Sequence, residues 1–160
     1  PAVRRERANL QAAVSWLCRD GRWESGARFA AMVAVATWED PDPVLTEQLR
    51  RVAPDEVRTH TEALRALAAG AANYLASHMR TAERLLTAVL DTLPPDHSMR
   101  WPALQLRMAN NMFQGRVADV HRDAQALAEA PGAPRWANAA SGRISSRRSS
   151  ARCAKPMRRS

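Results

Sequence analysis

Between Val3 and Leu127 apolar residues return every three or four positions, and no stretch sustains the alternation of a strand. That period commits the chain to helices, and its interruptions divide them. The opening stretch ERANLQAAVSWLCRDGRWESGARFA, Glu6 to Ala30, holds two helical patterns back to back around Asp20-Gly21. A first helix is predicted from about Val3 to Asp20, with Val3, Leu10, Val14 and Leu17 on one face. Gly21 supplies its left-handed exit. A second, about Trp23 to Glu39, carries an Ala27, Ala30, Ala31, Ala34 stripe bracketed by Trp23 and Trp38. Small side chains in a stripe let a neighbouring helix approach closely, and the indoles are expected to fix its position.

Proline and glycine divide the remainder. Pro41-Asp42-Pro43 ends the second helix, because proline cannot continue a helix interior. A short helix follows from about Val44 to Val52. Pro54-Asp55-Glu56 reads as a new start, a first-turn proline with two acids at the positive end of the helix dipole. That helix is predicted to reach about Ala76 on Val57, Leu64, Ala68, Ala71 and Leu75. The next, about Arg80 to Leu93, uses Ala82, Leu86, Val89 and Leu93 and stops at Pro94-Pro95. Trp101, Leu104 and Met108 mark a helix to Gln114, and after Gly115 a last one carries Val117, Val120, Ala124 and Leu127. Pro131-Gly132-Ala133-Pro134 closes the periodic part.

The expected fold class is therefore all-α, with helices paired antiparallel around turns near Gly21, His78 and Gly115. Antiparallel pairs in sequence are the layout of an α-solenoid. The middle pair fits a tetratricopeptide-like pattern at four places. Gly70 takes the small position of one helix and Ala82 that of the next, Leu86 the large apolar position and Pro94 the closing proline. Asn73 stands where that pattern has an aromatic, and Tyr74 follows it. Two regions are expected: a helical-repeat segment over 1–130 and a basic, disordered tail over 131–160.

Charge follows the same division. Residues 1–130 hold 16 Arg and 16 Asp or Glu, whereas residues 131–160 hold eight Lys or Arg and no acid, so the net charge of +8 belongs to the tail. An acid-free Arg/Ser-rich segment buries too little apolar surface to offset its ordering entropy. The loss of every acid after Glu129 is what GC-rich DNA read out of frame would produce. A frameshift or truncation scar is the leading reading of 131–160, ahead of a passive tail and of one that grips nucleic acid through phosphates. Pro1 in place of a methionine fits a processed chain or a piece of a longer one.

Chemistry-bearing patterns are sparse. His60, His78, His97 and His121 fall on four predicted elements with no i, i+4 pair, so solvated or capping roles are expected rather than metal ligation. Cys18 reads as a small hydrophobe beside Leu17, and Cys153 as a tail thiol among arginines. Two cysteines make no disulfide framework, which suits a reducing cytoplasm, and no apolar run approaches the ~20 residues of a membrane span. Asp40 and Asp42 around Pro41, and Asp91 and Asp96 around Pro94-Pro95, read as turn acids rather than a catalytic pair. No catalytic, cofactor-binding or metal-binding residue is identified, and no enzyme is expected.

The segment Glu6-Arg-Ala-Asn9-Leu10-Gln-Ala12-Ala13-Val14-Ser-Trp16, followed by Asp20-Gly21 and Ala27-Arg28-Phe29-Ala30, resembles a known helical region. It is similar to the part that follows the ATPase and winged-helix modules in large bacterial LuxR-type regulators and their antibiotic-regulatory-protein relatives. Those proteins carry an E-x-x-N-L-x-A-A-L-x-W helix before a glycine turn, and Val14 replaces the leucine here. The resemblance extends over about residues 4–130, with its specific part in 6–38. It implies a non-catalytic protein-interaction or effector-sensing arm of a transcription regulator. ATP would bind only in a parent protein, since this chain lacks the G-x-x-x-x-G-K-[ST] loop, and DNA only through a missing domain or the tail.

If such an array binds a partner, polar and aromatic residues beside the core stripe of first helices are the groove candidates: Tyr74, Arg107, Asn110 and Asn111. The alternative function is a small nucleic-acid-binding protein acting through its basic tail. Self-association is also expected, because Trp23, Phe29, Met32, Val33 and Trp38 surround the second helix with apolar surface.

Overall fold

The computed structural model describes residues 6–129, with the side chains of Arg7 and Cys18 excepted. The expectations for Val3, for Cys153, for the side chain of Cys18 and for the whole of 131–160 lie outside the described residues. Within them the chain is all-helical: α1 Arg7–Arg19, α2 Trp23–Ala36, α3 Pro43–Arg50, α4 His60–Leu75, α5 Met79–Thr92, α6 Arg100–Phe113 and α7 Val117–Glu129. No helix among the described residues is long and apolar enough to cross a membrane.

One turn design joins three of the helix pairs. After α1, α4 and α6 a single residue takes positive φ, Gly21 at 68°, Ser77 at 60° and Gly115 at 69°. In each case the next backbone N–H reaches back five residues, Arg22 to Leu17 O, His78 to Asn73 O and Arg116 to Asn111 O, at 3.1, 2.8 and 3.0 Å. These bonds take up carbonyls that the helix end would leave without donors. Glycine enters the left-handed region without cost; Ser77 does so at the middle turn against its Cβ.

α4 is the centre of the molecule. Its sequence HTEALRALAAGAANYL is apolar nearly all round, and every residue from Ala66 to Asn73 is buried. A helix of that kind needs neighbours on several sides. It packs against α2, α3, α5 and α6. α5 comes close to it at Gly70, where a Cβ would stand 3.0 Å from Leu86 Cδ2 and 3.1 Å from Leu86 Cγ. The larger core brings the Ala27, Ala31, Ala34 stripe of α2 against Leu64 and Leu67 of α4, Leu85, Leu86 and Val89 of α5, Leu104 and Leu106 of α6 and Leu127 of α7. A second cluster of Val14, Ala30, Val33, Leu45, Leu49, Ala68 and Ala72 seals α1 and α3 onto the other side. Truncating one of the fully buried leucines to alanine costs about 2–5 kcal/mol.

Two boundaries and one burial differ from expectation. α4 starts at His60, not at Pro54. Thr59 Oγ1 accepts the Glu62 N–H at 3.2 Å while Glu62 Oε2 accepts the N–H groups of Thr59 and Arg58, both at 2.8 Å. That reciprocal cap outcompetes Pro54-Asp55-Glu56, whose preceding Ala53 has no side-chain acceptor. α2 ends at Ala36, since the Thr37 hydroxyl bonds back to Val33 O at 2.7 Å and Pro41 and Pro43 follow. Trp38 therefore lies beyond the helix, 56% exposed, and brackets nothing. Val117, expected in the core, is the exposed first residue of α7.

Asp42 caps α3, accepting the N–H groups of Val44 and Leu45 at 2.9 and 3.0 Å, and receives Gln11 Nε2 from α1 at 3.0 Å. Its role is that of the turn acid expected from Pro41-Asp42-Pro43. Arg100, at the start of α6, donates to Leu90 O and Leu93 O, so the carbonyl end of α5 is held by the helix that follows it.

Candidate functional site

Arg107, Asn110 and Asn111 face inward. Arg107 forms a fork on Asp123 of α7, with Nη2 to Oδ1 at 2.6 Å and Nε to Oδ2 at 3.1 Å, and its Nη1 reaches Thr87 Oγ1 of α5 at 3.2 Å. Asn111 Nδ2 donates to the same carboxylate at 3.1 Å, and Asn110 Nδ2 donates to Met79 O at 3.1 Å. Asp123 is 2% exposed, Asn111 3% and Asn110 not at all. These side chains bind α5, α6 and α7 to one another and present little to a partner. Among the described residues Asn110 Oδ1 and Asn111 Oδ1 find no hydrogen-bond partner, so this junction also carries a desolvation cost.

Tyr74 stands apart from that network. It is half-buried on the last turn of α4, and burial pushes its phenol up from the usual value. Its ring lies 6.1 Å from that of Phe113, whose own surface is largely exposed at the end of α6. Of the four candidates, the structure joins Arg107 and Asn111 through Asp123.

The histidines also meet in a way the sequence did not disclose. His60 at the start of α4 and His97 in the segment before α6 approach edge to face, with ring centroids 4.8 Å apart. His97 Nδ1 accepts the Met99 N–H at 3.1 Å, a local bond in the turn just ahead of α6. No third His, Cys, Asp or Glu completes a metal-binding group with them among the described residues.

Sequence reasoning missed a groove between α2 and the first half of α6. It has a volume of about 440 Å³ and is walled by Ala31, Met32, Val35 and Ala36 on one side and by Met99, Trp101, Pro102 and Leu106 on the other. Met32 is 65% and Val35 48% exposed, so two large apolar side chains of α2 face solvent beside it. The rim is polar: Arg28 Nη2 donates to Ser98 Oγ at 3.3 Å across its mouth, with Gln105 nearby. Met99 is buried at the floor, and Trp101 Nε1 is enclosed with no hydrogen-bond partner among the described residues. Size, apolar walls and a few polar groups at the edge are the properties of a ligand site. Methionine and tryptophan at its walls supply polarizable, adaptable surface.

A signal for it did exist. Met32 and Val35 sit at i, i+3 on α2, off the inward alanine stripe. What the sequence could not show is that α6 approaches α2, a contact between elements far apart in the chain. Comparisons with known proteins found no matching family model, no matching characterised protein and no matching solved structure.

Proposed function

We propose that this chain is a non-catalytic helical interaction segment that takes an apolar group, a partner protein's helix or a small effector, into the groove between α2 and α6. The observation that carries this is the coincidence of an apolar cavity with solvent-facing Met32 and Val35 on its wall. Isolated exposed apolar residues are ordinary on protein surfaces; a contiguous apolar hollow with a polar rim is not. The motif at residues 6–38 supports a place in a LuxR-type transcription regulator, where such a segment would sense a ligand or hold a partner. The turn repeated at Gly21, Ser77 and Gly115 supports a tetratricopeptide-like repeat origin for the helix pairs.

Met32→Glu and Val35→Asp test the groove, since both positions are exposed and their replacement leaves the core intact. The full chain is expected to enhance the fluorescence of a neutral apolar probe such as N-phenyl-1-naphthylamine. Both variants should lose most of that enhancement while keeping their helical circular dichroism. Equal enhancement in the variants would place the apolar site elsewhere. The regulator reading has its own check: the native product's peptide map should contain a G-x-x-x-x-G-K-[ST] peptide.

A second reading rests on the eight positive and no acidic side chains of residues 131–160. A nucleic-acid role would show binding that weakens steeply with salt and vanishes when those arginines are neutralised.

A further inference from the structure

The groove between α2 and α6 lies within reach of a segment of this same chain. α7 runs antiparallel to α6, with Asp123 held by Arg107 and Asn111 across from it. Glu129, six residues further along α7, is therefore about 9 Å nearer the start of α6. Leu127 accordingly shares a core with Met99, Ala103 and Leu104. That is the stretch of α6 whose Trp101, Pro102 and Gln105 line the groove. Beyond Glu129 the sequence continues Ala-Pro-Gly-Ala-Pro-Arg-Trp to Trp136. A tether of that length extends to roughly 23 Å, about twice the diameter of a helix with its side chains. It is long enough to carry Trp136 past α6 to the groove.

Trp136 is the only Phe, Tyr or Trp after Phe113, and its neighbours Arg135, Ala137 and Asn138 are basic, small or polar. Such neighbours give an indole little to pack on within its own segment. The groove supplies what is missing: apolar walls from Met32, Val35 and Pro102 around about 440 Å³. Small-ligand sites span about 300–1,000 Å³, so an indole fits with room to spare. Thioethers pack well against aromatic rings, and Met32 is 65% exposed on the wall. Gln105 at the rim offers an acceptor for the indole N–H, which an enclosed tryptophan needs. Charge does not oppose the match. Residues 131–160 carry eight Lys or Arg and no acid. At the rim Glu24 lies 4.0 Å from Arg28 and moderates its charge. Asp96, just ahead of Ser98, and Glu39, just after Ala36, form no ion pair among the described residues.

We propose that the Trp136 side chain docks in the groove between α2 and α6 and competes with the external apolar group that the groove takes. This rests on the reading of the groove as a binding site and names its resident occupant. A short tether holds a side chain at an effective concentration on the order of a millimolar. An external ligand then binds only the fraction of chains whose groove is empty. The test uses the full chain with ¹³C-labelled methionine methyls and N-phenyl-1-naphthylamine excited directly. Trp136→Ala should move the Met32 methyl resonance and tighten probe binding roughly two- to tenfold, at every protein concentration. Ile144→Ala, in the same segment, should change neither, and an equal change there would overturn the proposal. An unmoved Met32 and unchanged probe affinity in Trp136→Ala, with probe binding lost in Met32→Glu, would overturn the docking and keep the groove. Probe binding that survives Met32→Glu would remove the groove reading and the docking with it. A Trp136→Ala effect that fades on dilution would place the indole in the groove of a second copy and overturn docking within one chain.

Discussion

At the residue scale, two positions set local tension. Ser77 adopts a left-handed φ of 60° where the equivalent residues of the other two turns are glycines. Ser77→Gly should raise stability by about 0.5–1 kcal/mol, and Gly21→Ala and Gly115→Ala should each lower it by about 1 kcal/mol. Denaturant unfolding of the three variants measures this directly. Gly70 poses the opposite case. In an open helix, Gly→Ala would add about 0.5–1 kcal/mol. Here the new methyl would press on the side chain of Leu86, which is fully buried and would have to shift within the packed core. Gly70→Ala is therefore expected to lower the unfolding midpoint, and a rise would mean that the α4–α5 contact is looser than described.

Elements stand or fall by their ends and by the polar ties between them. Glu62 is held below the usual carboxylate value, first by the Arg58 N–H, then by the N–H and hydroxyl of Thr59. A carboxyl lowered in the fold stabilises it above the unfolded value of 4.5, and that contribution is lost as pH falls through the lower folded value. Glu62→Gln should therefore be less stable than the parent at pH 7, with the gap closing as pH falls below 4.5. A gap independent of pH would show that the carboxylate is not what caps α4. The Arg107–Asp123 pair makes the matching test between helices. Asp123→Ala should cost about 3 kcal/mol by leaving Arg107 inside without its partner, and Arg107→Met with Asp123→Leu should recover at least half of that.

These elements also show what the sequence discloses and what it withholds. The helical period, the alanine stripe of α2 and the stops at Gly21, Pro94 and Gly115 were all legible, because each depends on residues close in the chain. The Thr59-His-Thr-Glu62 cap was legible too, but a proline with two acids competed for the same helix start. Asn110 and Asn111 looked like surface residues, since asparagine is a poor helix former. Their burial depends on Asp123 and Met79, which other helices deliver. The meeting of His60 with His97, and of α2 with α6, likewise follows from packing rather than from local pattern.

For the whole molecule, one centrally buried helix organises two cores and leaves apolar surface on the outer side of α2. Of the five side chains behind the expectation of self-association, Val33 is buried in the second core and Trp23 and Phe29 are half-buried; Met32 on α2 and Trp38 beyond it are exposed, and Val35 joins them. That surface motivates the expectation of self-association, which Met32→Glu should reduce in light scattering. It is also the wall of the groove on which the functional proposal stands. The methionine ε-methyl groups report on it most directly, because the chain has six methionines spread across the molecule. With those methyls ¹³C-labelled, a neutral aromatic probe should shift Met32 and Met99, which line the groove, and leave Met79 and Met108 still. Met112, 62% exposed at the far end of α6, is the internal control for binding to any apolar surface. Shifts confined to Met32 and Met99 would establish the groove as the binding site; shifts at Met112 alone, or at none of the six, would contradict it.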